Sequence, residues 1–166
     1  MKKNKNSKMT VGWCEWAALP RLGLPALKAK IDTGAKTSAL HAFNIEPFYR
    51  KRKDFVRFTI CPVQANNEIW VRCTSEIIDE RYVLSSNGHK ELRYVISTIL
   101  FLGGKKWDIE VTLSDRDPLR FRMLLGREAL KQCVIHPGRS YCQGRIDKQD
   151  LYDRYGLLGY EFYGDD

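Results

Sequence analysis

The sequence predicts a mainly β protein, a small closed β-barrel with one short helix. Short runs rich in β-branched and aromatic residues recur along the chain, separated by Gly, Pro, Asn or Asp. Only residues 128–132 have a helical pattern, over one or two turns. No internal repeat that would indicate a solenoid is visible. Many short strands favour closure into a barrel, because closure removes exposed sheet edges.

Each predicted strand ends at a turn signal. Pro20 to Gly23 separates the first two strands, Pro47 ends the third, and residues 48–53 form a basic turn. The pair Asn87-Gly88 between β-rich runs is a strong hairpin signal. The predicted strands are residues 11–19, 24–31, 40–46, 55–60, 69–73, 81–86, 92–96, 99–102, 107–113, 133–136 and 139–143.

Length and composition predict one domain with two tails. At 166 residues and 43% hydrophobic content, the chain is large enough for a real core. We expect a basic disordered tail over residues 1–10, the barrel over 11–145, and an acidic, aromatic tail over 146–166, either free or partly packed on the barrel. No apolar run is long enough to span a membrane, and the basic N-terminus lacks the apolar stretch of a signal peptide, so we expect a cytoplasmic protein.

The five cysteines are odd in number and widely spaced, with no C-x-x-C pair. This spacing favours small buried hydrophobic residues over a disulfide framework or a zinc ribbon. None of the three histidines belongs to an H-E-x-x-H motif, and Gly34-Ala35-Lys36-Thr37 lacks the Gly-Lys pair and the earlier Gly of a phosphate-binding loop. We therefore expect neither a metal site nor a cofactor.

One stretch carries the chemistry. The strand over residues 24–31 runs directly into Asp32-Thr33-Gly34-Ala35, which places Asp32 on a tight turn at a strand end. A carboxylate held there can face a second carboxylate; such a pair keeps one proton and can activate a water molecule. The alternative is a turn residue that bonds its own backbone.

A second stretch, Met123-Leu124-Leu125-Gly126-Arg127, follows about 90 residues later. This pair of motifs resembles the retropepsin-like aspartic protease family. Within it, the chain is similar to a bacterial branch often labelled ATP-dependent zinc protease and encoded beside RimK-type ATP-grasp glutamate ligases. The similarity extends over residues 11–145 and includes Gly12-Trp13, residues 31–42, 86–89 and 136–141.

The resemblance implies an aspartic endopeptidase of the acid-protease fold. The chain contains a single D-[ST]-G, so a dyad needs Asp32 from each subunit of a homodimer. Thr33 would then brace the facing loops, and Gly34 and Ala35 would present backbone groups to a peptide. Ser86, Asn87 and Gly88 lie where retropepsins carry a substrate-covering flap; the alternative is an ordinary surface hairpin. Gly126 and Arg127 would support the Asp32 loop.

Charge suggests partners. The net charge is +8, and Lys28, Lys30 and Lys36 flank the Asp32 turn. An acidic, glutamate-rich peptide would suit these lysines, although Lys28 and Lys30 also fit the solvent face of a strand. Outside the basic N-terminal tail, much of the excess positive charge lies in residues 50–53. This segment is either a solvated loop or a site for an acidic partner.

Two other functions remain open. One is a nucleic-acid-binding barrel that uses the basic tail and surface aromatic residues such as Trp70 and Trp107. The other is a catalytically inert retropepsin fold that acts as a binding or scaffold protein.

Overall fold

The computed structural model describes residues 7–64, 66–84, 87–115 and 120–156. The described residues form twelve strands: β1 (Met9–Val11), β2 (Cys14–Leu19), β3 (Leu24–Ile31), β4 (Ser38–His41), β5 (Phe43–Arg50), β6 (Lys53–Ile60), β7 (Val71–Glu76), β8 (Asp79–Leu84), β9 (Lys90–Leu102), β10 (Lys105–Ser114), β11 (Met123–Leu125) and β12 (Cys133–Ile135). They also form two 3₁₀ helices, Pro20–Leu22 and Arg127–Leu130, and one α-helix, α1 (Lys148–Arg154).

Six of these strands close a barrel. The main sheet has the order β10-β4-β11-β3-β2-β9-β8, and β10 also pairs with β9, so the ring returns to its first strand. The β2–β9 contact is a single pair, Ala18 with Phe101, and is the narrowest link in the ring. The predicted mainly β, closed fold is confirmed.

The barrel interior is almost entirely apolar. Buried positions alternate with more exposed ones along strands such as β4 and most of β3, as expected for side chains that point to opposite faces of a sheet. The largest fully buried apolar side chains are Leu19, Leu24, Leu27, Leu40, Phe58, Ile60, Ile96, Leu100, Leu102, Met123 and Leu125. A separate sheet, β5-β6-β7, contributes Phe58 and Ile60 to the same core.

The pairing of β3 with β11 brings the two sequence motifs together. These strands are parallel, with Leu125 opposite Ile31. The next residues, Asp32 and Gly126, therefore leave the barrel side by side at the same end. A register set by two short strands thus fixes where the D-T-G turn lies.

The structure confirms the hairpin predicted around Asn87-Gly88. Strands β8 and β9 pair antiparallel, up to Leu84 opposite Lys90. Gly88 has a φ of +84°, a conformation that glycine adopts without steric cost.

Several predicted strand boundaries are wrong. The strand predicted to end at Pro47 is two strands, and the second, β5, continues through Pro47 to Arg50. The reason is that β5 is an edge strand, where a missing N–H need not remove a ladder hydrogen bond. The first predicted strand is likewise divided into β1 and β2 at Gly12-Trp13.

The strand predicted over residues 139–143 does not form. The backbone N–H groups of Cys142 and Gln143 donate instead to the buried carboxylate of Glu15, at 2.9 and 2.8 Å. The N–H of Tyr141 donates to the carbonyl of Cys14 at 2.9 Å. These contacts hold the segment as a loop against β2.

The predicted helix over residues 128–132 is a 3₁₀ helix, Arg127–Leu130. The α-helix lies instead in the predicted C-terminal tail, where the Asp147 side chain accepts from the N–H of Asp150 and caps α1. Among the described residues, no helix is long and apolar enough to cross a membrane.

The predicted tails both contribute to the fold. Met9 and Thr10, at the end of the predicted N-terminal tail, pair with β12 in β1. Leu151 and Tyr155, in the predicted C-terminal tail, are buried in the main core. Residues 1–6 and 157–166 lie outside the described residues.

All five cysteines are free. Cys14, Cys61 and Cys73 are buried, as predicted for small apolar residues, whereas Cys133 and Cys142 are only partly buried. Burial raises the pKa of the Cys73 thiol to about 12. A thiol with this pKa is a poor nucleophile at neutral pH, since the reactive thiolate is scarce.

Tyr155 supplies hydrogen bonds that β3 lacks. The β2–β3 register shifts between Ala17 and Leu19, which leaves a bulge in β3 at Pro25 and Ala26. The Tyr155 hydroxyl accepts from the N–H of Ala26 at 3.3 Å and donates to the carbonyl of Ala26. The residue that follows helix α1 thus provides a hydrogen-bond partner for backbone groups of β3 at the bulge.

We expect Tyr155→Phe to lower the free energy of unfolding by roughly 1–3 kcal/mol, because it leaves buried backbone groups of Ala26 without a partner. The measurement is equilibrium denaturation. Tyr152→Phe is the matched control: its hydroxyl accepts only a partly buried bond from Asn66 Nδ2, at 2.9 Å. Equal losses in the two variants would contradict a special role for the Tyr155 hydroxyl.

Candidate active site

The backbone of the Asp32 turn is held by hydrogen bonds on both sides of the residue. The Asp32 N–H donates to the carbonyl of Leu125 at 2.9 Å, and the Ala35 N–H donates to the carbonyl of Asp32 at 3.3 Å. The Asp32 Oδ1 accepts from the N–H of Gly34 at 3.0 Å. Asp32 therefore does bond its own turn, as expected for a purely structural turn residue. This bond uses Oδ1 only and leaves Oδ2 available.

The second motif binds the whole turn. The Arg127 guanidinium donates from Nη1 to the carbonyl of Thr33 at 2.9 Å. The backbone N–H groups of Arg127 and Glu128 donate to the carbonyls of Ala35 and Lys36, at 2.8 and 3.1 Å. Arg127 and Glu128 thus bind three of the carbonyl groups that follow Asp32, those of Thr33, Ala35 and Lys36.

Gly126 allows this contact to be close. Its N–H donates to the hydroxyl of Ser38 at 3.1 Å. A Cβ on Gly126 would lie 2.7 Å from the Thr37 carbonyl carbon and 2.9 Å from the Lys36 oxygen. A side chain at this position would displace main-chain atoms of residues 36 and 37, so the two motifs lie in close backbone contact.

The turn opens onto a large cleft of about 1480 Å³. Asp32, Gly34 and Ala35 line it, together with Leu124 and Glu128 from the second motif region. Asp32 is half-buried. A carboxylate in this position can meet both solvent water and a bound chain.

The β8–β9 hairpin borders the same cleft. Its lining residues are Arg81, Tyr82, Val83 and Leu84, together with Arg93. The predicted contact residues Asn87 and Gly88 belong to the tip and are not part of this lining, and Ser86 lies outside the described residues. The hairpin therefore meets the cleft along its strand, closer to the barrel than the sequence predicts.

The hairpin exposes apolar side chains that sequence reasoning missed. Tyr82, Leu84 and Leu92 are 73%, 66% and 51% exposed. Leu92 shares its face of β9 with the buried Ile96, four positions on. The alternation of residues 92–96 could have revealed that the barrel's inner face continues onto the hairpin.

The charges around the cleft are partly paired. Arg81 donates to Asp79 and Glu110 at 2.7 and 2.8 Å. Lys131 lies 2.6 Å from Glu128 and, through its hydrogen bond, lowers the pKa of that carboxyl below its usual value. The other lining cations are Lys30, Lys36, Arg93 and Arg120, of which Arg93 pairs with Glu91.

The three lysines near the turn differ in position. Lys30 and Lys36 line the cleft. Lys28 instead has its Nζ 5.4 Å from the centre of the Trp16 ring. Among the described residues, no three His, Cys, Asp or Glu side chains come close enough together to hold a metal ion.

A closed β-barrel whose D-T-G turn is bound by an L-L-G-R segment defines a retropepsin-like protein. The model of the RimB-like family, described as retropepsin-like aspartic endopeptidase RimB, matches residues 10–146, and the chain belongs to this family. The resemblance to retropepsin-like proteases is thereby confirmed.

Curated relatives place the same region in longer proteins. Proteins named probable alpha-L-glutamate ligase from Shewanella pealeana and Desulfotalea psychrophila are 43% and 44% identical to this chain, over 92% and 90% of its length. The chain spans only 33% and 32% of those proteins. A crystal structure of a Legionella pneumophila protein of unknown function is also similar, with a TM-score of 0.67 and 28% identity over 82% of this chain and 98% of that one.

We expect Gly126→Ala to lower the free energy of unfolding by about 1–3 kcal/mol, because the added methyl group meets main-chain atoms of residues 36 and 37. Thermal or chemical denaturation measures the loss. Gly138→Ala is the control, since its Cβ would lie an ordinary 3.4 Å from the His136 side chain. A Gly126→Ala protein as stable as the control would contradict the close-packing role.

Proposed function

We propose that the protein is an aspartic peptidase whose dyad consists of Asp32 from two copies of the chain. The observation that carries the proposal is the Asp32 carboxylate, on a turn bound by Arg127, in the lining of an open cleft. Family membership supports it, and so does the exposure of Thr33 and Gly34, which leaves the turn accessible to a second copy.

The proposed chemistry is general acid–base catalysis. Two adjacent carboxyl groups share one proton because both cannot ionise at short range. The ionised Asp32 takes a proton from water as the oxygen attacks the peptide carbonyl, and the protonated Asp32 of the other copy donates its proton to the carbonyl oxygen. Transfer of a proton to the amide nitrogen then breaks the C–N bond. In this arrangement the β8–β9 hairpin covers the bound peptide.

We expect Asp32→Asn to lower peptide turnover at least about 100-fold, because the amide cannot accept the proton. Stability should change by less than about 0.5 kcal/mol, since Asn Oδ1 can still accept from the Gly34 N–H. The matched control is Asp108→Asn, which removes a carboxylate from another position in the cleft. Turnover and melting are measured on the same samples.

Mixing the two proteins tests whether the site is shared. Wild type and Asp32→Asn are unfolded together, refolded at varying ratios and assayed at constant total protein. A shared dyad makes activity fall with the square of the wild-type fraction, because mixed dimers are inactive. A linear fall, or full activity of the variant, would refute the shared dyad.

We further propose an acidic, glutamate-rich peptide as substrate. Lys30 and Lys36 line the cleft with Arg120, and their field would attract an anionic chain. The names of the relatives add support, since a glutamate ligase makes the kind of chain that such a peptidase would cut. The free cysteines suit a reducing compartment, which supports a cytoplasmic location.

We expect Lys36→Gln to lower kcat/KM about two- to fivefold for a glutamate-rich peptide, the range of one exposed charge contact. A neutral peptide should be unaffected. Added salt should reduce the difference between the peptides, because the Debye length is about 10 Å at 0.1 M. Lys106→Gln, an exposed lysine outside the cleft lining, is the control. Equal effects of both substitutions would contradict the substrate assignment.

A second candidate is a non-catalytic binding module. The observation in its favour is that the region makes up about a third of relatives that are named for another activity. A protein that binds glutamate-rich peptides in the cleft, with Asp32→Asn binding as tightly and neither form cleaving them, would favour this function.

A further inference from the structure

The hairpin β5–β6 carries a concentrated positive charge outside the cleft. Its tip is Arg50-Lys51-Arg52-Lys53, four exposed cations in succession. No residue of this hairpin is part of the cleft lining, and the hairpin belongs to a separate three-stranded sheet. The charge surplus of residues 50–53 therefore has no role in the proposed peptidase site.

The tip has an unusual backbone. Lys51 and Arg52 have φ values of +49° and +64°, both in the left-handed region. Two-residue hairpin turns of this kind favour Asn-Gly, because few side chains tolerate the conformation. The sequence thus places two long cations where the backbone favours small turn residues.

Aromatic side chains stand beside the cations on one face. Phe48 and Phe55 stack with ring centroids 5.6 Å apart and planes 18° from parallel. The Arg57 guanidinium lies 4.9 Å from the centre of the Phe48 ring. Phe48 is opposite Phe55 and Arg50 opposite Lys53 in the register, so alternation puts the stack and two tip cations on the same face.

The acidic residues nearby leave a net positive surface. Glu46 is paired with Arg72 at 2.9 Å. Lys53 and Glu76 are 3.7 Å apart, with 60% and 47% of their side chains exposed, a contact weakened by solvent. Asp54 is exposed next to the tip. Apart from the Glu46–Arg72 pair, two carboxylates therefore oppose five cations, the four of the tip and Arg57.

We propose that the β5–β6 hairpin is a binding site for single-stranded nucleic acid. The tip cations contact successive phosphates, and a base stacks on the exposed side of the Arg57 guanidinium, extending the column formed with Phe48 and Phe55. Positive charge along the backbone path together with planar stacking groups is the combination that single-stranded ligands use. An acidic peptide would use the charge but not the stack.

The surface differs from the aromatic residues that the sequence suggested for this role. Trp107 donates from its indole N–H to the carbonyl of Ala129 at 3.0 Å and packs against the core. Trp70 is only half-exposed. The exposed aromatic residue next to the tip is Tyr49, which is 70% exposed.

The test uses the full chain and fluorescence anisotropy with labelled mixed-sequence oligonucleotides of RNA and of DNA, over a range of salt concentrations. The key variant is Lys51→Asn/Arg52→Gly, which removes two charges and installs the preferred turn. Its salt slope, log K against log salt concentration, should be shallower by about 1.4, as for two lost phosphate contacts on a single strand. Its melting temperature should not fall, so lost binding cannot reflect misfolding.

Two further variants test whether the position of the charge matters and whether the stacking contact contributes to binding. Lys105→Gln/Lys106→Gln removes the same charge beside another hairpin turn and should leave affinity and slope unchanged. Arg57→Lys keeps the charge but loses the planar group, so affinity should fall at least about fivefold with the slope unchanged, as for one lost stacking contact.

The outcomes divide clearly. Binding of RNA, DNA or both with these variant effects supports the proposal, and a preference for RNA would indicate contact with the 2′-hydroxyl. Equal weakening by both charge variants, or an unchanged affinity of Lys51→Asn/Arg52→Gly, would overturn it. So would loss of polyglutamate binding, rather than oligonucleotide binding, in the hairpin variant. All of these outcomes are binding measurements, so none of them depends on peptidase activity.

Discussion

The contact between the Asp32 turn and the Gly126-Arg127 segment is the constraint on which the site depends. Parallel pairing of β3 with β11 brings them side by side, and Gly126 removes the Cβ that would separate them. Arg127 then binds the Thr33 carbonyl, while Leu125 accepts the N–H of Asp32. The position of the turn is therefore set by main-chain hydrogen bonds and by the Arg127 guanidinium, while the Asp32 side chain lines the cleft.

The sequence predicted what depends on local signals. Strand β3 coincides with its predicted bounds, and the Asn87-Gly88 hairpin forms, because alternation and turn residues act over a few positions. The predictions were wrong where contacts with residues far away in the sequence determine the local structure. The segment predicted as a strand over 139–143 is a loop because Glu15, over 120 residues earlier, accepts its N–H groups. Helix α1 was missed because burial of Leu151 and Tyr155 stabilises a short polar sequence.

Glu15 also links two parts of the resemblance that lie outside the D-T-G and L-L-G-R motifs. Its fully buried carboxylate accepts from the N–H groups of Gly12, Cys142 and Gln143. A Cβ on Gly12 would lie 2.2 Å from the Arg139 carbonyl oxygen. The Trp13 carbonyl, in turn, accepts from the N–H of Ile31, the residue before Asp32. The Gly12-Trp13 corner and the 136–141 loop thus form a second support for the turn.

Two of the hairpin turns among the described residues show how a conflict between sequence and backbone can be informative. At Gly88 a left-handed φ is met by the residue that tolerates it. At Lys51 and Arg52 the same region is occupied by long cations, at a cost of roughly 1–2 kcal/mol for each residue. Local rules are usually broken where another requirement outweighs stability. The first turn can be understood from folding alone, whereas the second is consistent with the proposed nucleic-acid site, in which its two cations would contact phosphates.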